Sequence, residues 1–232
     1  MENFIIGNYK LYVSEDHRFG TDAFLLSYFS KVKKDSVVCD LCTGCGIIPI
    51  LIMKNFSPSI IYAVDIQKEA IELLEKTVKE NELENIIAPI CADLKTVSQI
   101  PSGSVDFVTV NPPYMINGSG HEKLSKAQAI ARHEIMCNVD DICKTASRLL
   151  TYGGYLKMCQ RPDRIADVIS SMRNHGIEPK SITLVHNNPN EKPWLLLISG
   201  KKGGKSGVQI EKPMILRKDD KQYTEEFTKI YE

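Results

Sequence analysis

The feature that most constrains this chain is the alternation of short apolar runs with amphipathic stretches between residues 37 and 110, broken by a glycine turn after the first run. Val37–Leu41 reads as a strand, Gly44-Cys45-Gly46 as a turn and residues 47–55 as a helix. A strand over 60–65 and a helix over 68–81 follow. In that helix Ile71, Leu74 and Val78 share one face while Glu69, Glu72, Lys76 and Lys79 lie elsewhere, the pattern of a half-buried helix. Strands are expected over 86–91, 105–110, 155–159, 182–185 and 194–199. Helices are expected over 139–149, with Asn138 as N-cap, and from 165 to about 176. Strands alternating with helices build a mostly parallel sheet with helices on both faces, a Rossmann-like α/β fold. Such sheets bind ligands outside the carboxyl ends of their strands.

The sequence also predicts what surrounds this sheet. Residues 4–13 carry two apolar runs around Gly7-Asn8 and read as a β-hairpin, followed by a short helix over 22–30. The chain is expected to form one domain: a hairpin-and-helix extension over 1–35, a core over 36–200 that holds the sheet, and a basic segment with a C-terminal helix over 201–232. Polar stretches at 117–121, 187–192 and 200–207 read as loops.

Lysine plus arginine and aspartate plus glutamate both total 29, so overall charge identifies no polyanionic partner. Locally, residues 191–221 hold eight basic side chains against four acidic ones, a surplus that suits either a phosphate backbone or a solvated surface. No apolar run approaches the roughly 18 residues of a membrane span. The N-terminus lacks the pattern of a secretory signal, so a cytoplasmic protein is expected. Seven cysteines inside apolar runs fit free thiols in a reducing compartment. The five histidines fall at no metal-ligand spacing, so no metal is expected.

The loop after the first strand narrows the chemistry. A nicotinamide or flavin site wants a third glycine where Pro49 stands, and Asp40 at the strand end would repel a pyrophosphate. A cofactor with an ammonium, a sulfonium and no phosphate fits better, and S-adenosylmethionine is that cofactor. Asp40 would serve its amino-acid end, directly or through water, with the backbone of Gly44 and Gly46 close against it. Asp65 closes the second strand, where a carboxylate accepts from both ribose hydroxyls. Ile66 follows it as a further cofactor-binding residue, and Asp93 stands where a carboxylate accepts from the adenine amino group. Three acids after three consecutive strands carry this reading together.

The fourth strand runs into Asn111-Pro112-Pro113-Tyr114. An amino nitrogen conjugated to a ring is a poor nucleophile, because its lone pair is delocalised. The Asn111 side-chain oxygen and the Pro112 carbonyl would accept its two N–H bonds and favour a pyramidal nitrogen. Tyr114 would stack on a base, and Pro113 stiffens the turn.

Asp40-x-x-x-Gly44-x-Gly46, Asp65, Asp93 and Asn111-Pro-Pro-Tyr114 resemble the class I methyltransferases that modify exocyclic or amide nitrogens. More narrowly, Arg18-Phe-Gly-Thr-Asp22-Ala-Phe-Leu-Leu26, the block from Asp40 to Pro49, and Ala131-Arg-His-Glu134 resemble the bacterial valine-tRNA adenine-N6 methyltransferase family. The resemblance implies S-adenosylmethionine, a seven-stranded sheet with a reversed last strand, and adenine 37 beside the tRNA anticodon as target. It also implies that Thr21 and Asp22 help close the methionine end of the cofactor site. One departure is Cys42, which stands where the common loop has its first glycine. Arg132, His133 and Glu134 have two readings, RNA orientation and an internal ion pair.

Rival readings carry less. Cys39-x-x-Cys42-x-x-Cys45 has iron–sulfur spacing without a clear fourth ligand, and the stretch from Gly200 to Ser206 lacks the spacing of a phosphate loop. Glutamine-N5 methylation of a protein shares the Asn-Pro-Pro-Tyr tetrapeptide but expects a helical domain before the glycine loop. Guanine-N2 methylation of ribosomal RNA expects a duplicated domain or another aromatic after the prolines. A non-catalytic tRNA-binding protein on the same scaffold is hard to reconcile with an intact set of acids and tetrapeptide.

Overall fold

The computed structural model describes residues 2–112, 138–220 and 222–231. β1 (Glu2–Ile6) and β2 (Tyr9–Val13) pair antiparallel with Ile6 opposite Tyr9, which leaves Gly7-Asn8 as the two-residue turn. Gly7 has a φ of 60°, the conformation such a turn requires. The chain continues through α1 (Thr21–Ser30), β3 (Val37–Leu41), α2 (Ile47–Asn55), β4 (Ile60–Asp65) and α3 (Lys68–Glu80). Next come β5 (Ile87–Cys91), β6 (Val105–Val110), α4 (Val139–Leu149), β7 (Leu150–Gln160), α5 (Ile165–Asn174) and β8 (Ile177–His186). β9 (Leu195–Lys202), β10 (Gln209–Ile210), β11 (Met214–Ile215) and α6 (Glu225–Tyr231) complete it.

The central sheet runs β10-β8-β9-β7-β6-β3-β4-β5, and β11 also pairs with β8. β9 is antiparallel to β7 and β8, and the other pairings are parallel. The expected seven strands with one reversed are therefore present. β10 and β11, two residues each, extend the outer edge of β8 and carry no period that marks them as strands in the sequence. β7, β8 and β9 are each longer than expected, and β9 runs through Lys201 and Lys202, inside a stretch whose composition reads as a loop.

Each face of the sheet has its own core. Leu25, Leu26, Ile50, Ile52 and Leu74, from α1, α2 and α3, cover one face with the hairpin and α6. Ile142, Ala146 and Leu149 of α4 and Val168 and Met172 of α5 cover the other. α4 begins with the expected Asn138 cap, which forms a full capping box with Asp141. The hairpin is fastened to α3: Tyr12 N donates to Thr77 Oγ1, and Asn81 exchanges two hydrogen bonds with the Lys10 backbone.

β3 has β4 on one side and β6 on the other, so the chain order reverses between β3 and β6. The loops leaving these strands diverge there and open a crevice at their carboxyl ends.

Candidate active site

The loop after β3 is shaped by three residues in the left-handed region: Cys42 (φ 58°), Gly44 (55°) and Gly46 (85°). Cys42 adopts a conformation that favours glycine, which gives the departure at this position a physical meaning. The two glycines do different work. A Cβ on Gly46 would lie 2.3 Å from the Leu74 side chain, so this glycine lets α2 start against α3. A Cβ on Gly44 would meet nothing within 4 Å, because Gly44 faces open space. Its N–H donates to Asp65 Oδ2 at 2.8 Å, and Asp65 Oδ1 accepts from Gln67 N at 3.0 Å. Asp65 thus ties the glycine loop to the end of β4. Burial raises its pKa, opposed by the Gln67 and Gly44 N–H groups and by the neighbouring His17.

A cavity of about 280 Å³ opens over this loop. Gly44, Asp65, Ile66, Asp93, Asn111 and Pro112 all line it, as do Cys42 and Thr43. The segment from Asp16 to Gly20, together with Asp22, forms a further wall of it. Of the sequence-predicted set, Thr21, Asp40 and Gly46 do not line the cavity. Pro113, Tyr114, Arg132, His133 and Glu134 lie outside the described residues.

Asp40 is fully buried. Its Oδ1 accepts a 2.6 Å hydrogen bond from Thr109 Oγ1 across the β3–β6 pairing. Thr43 stands near enough to favour the charged form but outside hydrogen-bond geometry. Asp40 Oδ2 and Thr43 Oγ1 are therefore buried without a hydrogen-bond partner among the described residues. Burial pushes the Asp40 carboxyl up to about 7 against the pull of Thr109 and Thr43. Asp93 folds back on its own turn, accepting from Lys95 N at 2.9 Å.

The donor set tests which cofactor fits. Asp16, Asp22, Asp65 and Asp93 line the cavity against Arg18 and His17. Arg18 is already engaged with Glu2 at 3.1 and 3.2 Å. A pyrophosphate would meet repulsion, whereas an ammonium or sulfonium meets attraction. The orphaned carboxylate oxygen on Asp40 and the open backbone at Gly44 favour the same cationic ligand. S-adenosylmethionine fits these residues.

Sequence reasoning missed the wall formed by Asp16, His17 and Phe19. Its only signal was adjacency to the Arg18–Asp22 block, since neither a periodic pattern nor a spacing distinguishes a lone histidine. It also missed Cys159, whose Sγ lies 3.0 Å from Asn111 Oδ1 although 48 residues separate them.

A parallel sheet with one reversed strand, a glycine loop after its central strand and an acid-lined cavity at the switch point define a Rossmann-like methyltransferase. The TRM5/TYW2 methyltransferase domain model matches residues 27–147, just over half of the chain, and the chain belongs to that family. It is an S-adenosylmethionine-dependent methyltransferase. A tRNA1(Val) (adenine(37)-N6)-methyltransferase from Tolumonas auensis is 25% identical over 211 residues, 90% of this chain and 86% of that protein. Among solved structures, a predicted O-methyltransferase from Agrobacterium tumefaciens superposes with a TM-score of 0.73 at 19% identity, covering 90% of this chain and 94% of that one. The M. jannaschii tRNA m1G37 methyltransferase gives 0.57 at 23% identity, covering 88% of this chain and 57% of that one. These two likenesses bear on the fold alone.

Proposed function

We propose that this enzyme methylates the exocyclic N6 of an adenine in tRNA, at position 37 of the anticodon loop. The observation that carries the reading is Asn111, which follows β6 and lines the acid-rich cavity next to Pro112. The names of the curated relatives support the substrate, and the Asn-Pro-Pro-Tyr sequence supports an amino nitrogen as nucleophile. The reading takes residues 1–232 as one catalytic unit acting in the cytoplasm.

S-adenosylmethionine supplies an electrophilic methyl group on a sulfonium. Asp65 would hold the ribose hydroxyls while its own backbone contacts keep the glycine loop closed. Asp93 would accept from the cofactor's adenine amino group, and Asp40 would favour the cationic amino-acid end from beneath the loop. Asn111 Oδ1 and the Pro112 carbonyl would accept the two N–H bonds of the target amine, concentrating its lone pair toward the methyl. No strong base is needed, because the nitrogen becomes acidic on methylation. Rate then comes from positioning and fixed dipoles. Tyr114 is proposed as the face on which the flipped base stacks, and flipping costs least from a single-stranded loop.

Asn111→Ala is expected to lower kcat by about 10²-fold or more, the scale of losing one directed polar contact in a transition state. Calorimetry should find S-adenosylhomocysteine affinity within about threefold of wild type. Wild-type turnover in this variant would contradict the assignment.

A further inference from the structure

The Asn111 side chain is gripped from two sides by groups of opposite hydrogen-bonding character. Its Nδ2 donates to Asp22 Oδ2 at 3.0 Å. Its Oδ1 accepts from Cys159 Sγ, also at 3.0 Å, while the thiol's contact to the Val110 carbonyl is longer at 3.9 Å. An ionised carboxylate only accepts, and a thiol beside a carbonyl oxygen donates. Turning the amide over would set its oxygen against the Asp22 carboxylate and its NH2 against the thiol proton. Only one orientation satisfies both neighbours.

The surroundings of Asp22 are built for this contact. Its other oxygen, Oδ1, accepts from Ala23 N at 3.0 Å in the first turn of α1, where the helix dipole favours an anion. A Cβ on Gly20 would lie 2.7 Å from that same oxygen, so a side chain at residue 20 would displace the carboxylate. Cys159 is fully buried in β7, beside β6. Asp22 and Cys159, far apart in the sequence, meet at the Asn111 amide.

We propose that Asp22 is a positioning residue for methyl transfer, with Cys159 as its counterpart. Together they fix the Asn111 amide so that Oδ1, not Nδ2, faces the substrate amine. A carbonyl oxygen accepts two hydrogen bonds, one from the thiol and one from the amine. With the amide reversed, donor would face donor and the lone pair would not be localised. The inference rests on the N-methylation reading above and assigns Asp22 a role different from closing the methionine end of the cofactor site.

The test measures kcat, S-adenosylhomocysteine affinity and the Asn111 side-chain amide resonances in Asp22→Ala, Asp22→Asn, Cys159→Ala and Cys159→Ser. Asp22→Ala should lower kcat about 10²-fold, the scale of a misplaced catalytic group. Affinity for S-adenosylhomocysteine should fall far less than kcat, since Asp22 is one of four acids lining the cavity, and the Asn111 Hδ2 proton should lose its downfield, carboxylate-bonded shift. Asp22→Asn keeps the shape and one acceptor, so it should lose less and remains informative if the alanine variant does not fold. Cys159→Ser keeps a donor and should retain more activity than Cys159→Ala. An unmoved Asn111 resonance in Asp22→Ala, or a loss expressed entirely in cofactor affinity, would overturn the proposal. The resonance and the titration need no RNA, so they decide this point even if wild-type protein transfers no methyl to tRNA, an outcome that would instead contradict the N-methylation reading.

Discussion

Asp40 shows how a single buried acid can be read from sequence for its place but not for its burial. Its position after the first core strand was legible; its burial behind the glycine loop was not, because that depends on Thr109 of another strand. The burial has a consequence in pH. Asp40 titrates near 7 in the fold against 3.8 for an ordinary aspartate, so between these values the folded protein holds a proton that the unfolded chain has released. Stability contributed here therefore falls as pH rises from about 4 to 7, and the full penalty stands above 7. Asp40→Asn should remove that slope, leaving the variant more stable than wild type at pH 8 and little changed at pH 4 in urea titrations. Parallel curves for the two proteins across this window would show that Asp40 is not the titrating group. The glycines teach a related lesson. Both were visible as a motif, but their division into packing at Gly46 and open backbone at Gly44 depends on where Leu74 lies.

At the scale of elements, the alternation of strands and helices was legible because each amphipathic helix has its own period. The cavity wall from Asp16 to Gly20 was not, since it belongs to no periodic element and its place depends on tertiary contacts as well as on a local turn between Ser14 and His17. Phe19 meets Phe4 of β1 edge-on, with ring centroids 5.3 Å apart. Arg18 pairs with Glu2 on the surface. An aromatic pair is worth about 0.5–1.5 kcal/mol beyond its buried area, whereas an exposed ion pair contributes less. Phe4→Ala should therefore leave the sheet intact but weaken S-adenosylhomocysteine binding by up to about tenfold. Glu2→Ala should do less. Equal affinity in Phe4→Ala and wild type, measured by calorimetry, would separate the hairpin from the site.

At the scale of the whole molecule, the topology redistributes the basic surplus seen over residues 191–221. Because β9 is reversed, Lys201 lies opposite Tyr155 near the start of the parallel part of the sheet, at the end remote from Asn111. Lys202 Nζ donates to the Leu150 carbonyl, and Lys180 Nζ holds the backbone of Lys205 and Gly207. Linear sequence grouped these lysines with Lys192 and Lys218, which the strand order sends to the carboxyl end beside the 187–192 loop. Replacing Lys201 and Lys205 with glutamine should leave the salt dependence of tRNA binding unchanged. Replacing Lys192 and Lys218 should shallow it, the slope of log K against log salt concentration falling by about 0.7–0.9 per lost phosphate contact. The reverse ranking would mean that RNA lies along the far end of the sheet. No described helix is long and apolar enough to cross a membrane.

The most direct test of the account is transfer of isotopically labelled methyl from S-adenosylmethionine to unmodified total tRNA, read by nucleoside mass spectrometry. Wild-type enzyme should place the label in N6-methyladenosine, and Asn111→Ala should place almost none. Label in a methylated guanosine, or none in RNA while S-adenosylhomocysteine still binds, would contradict the account.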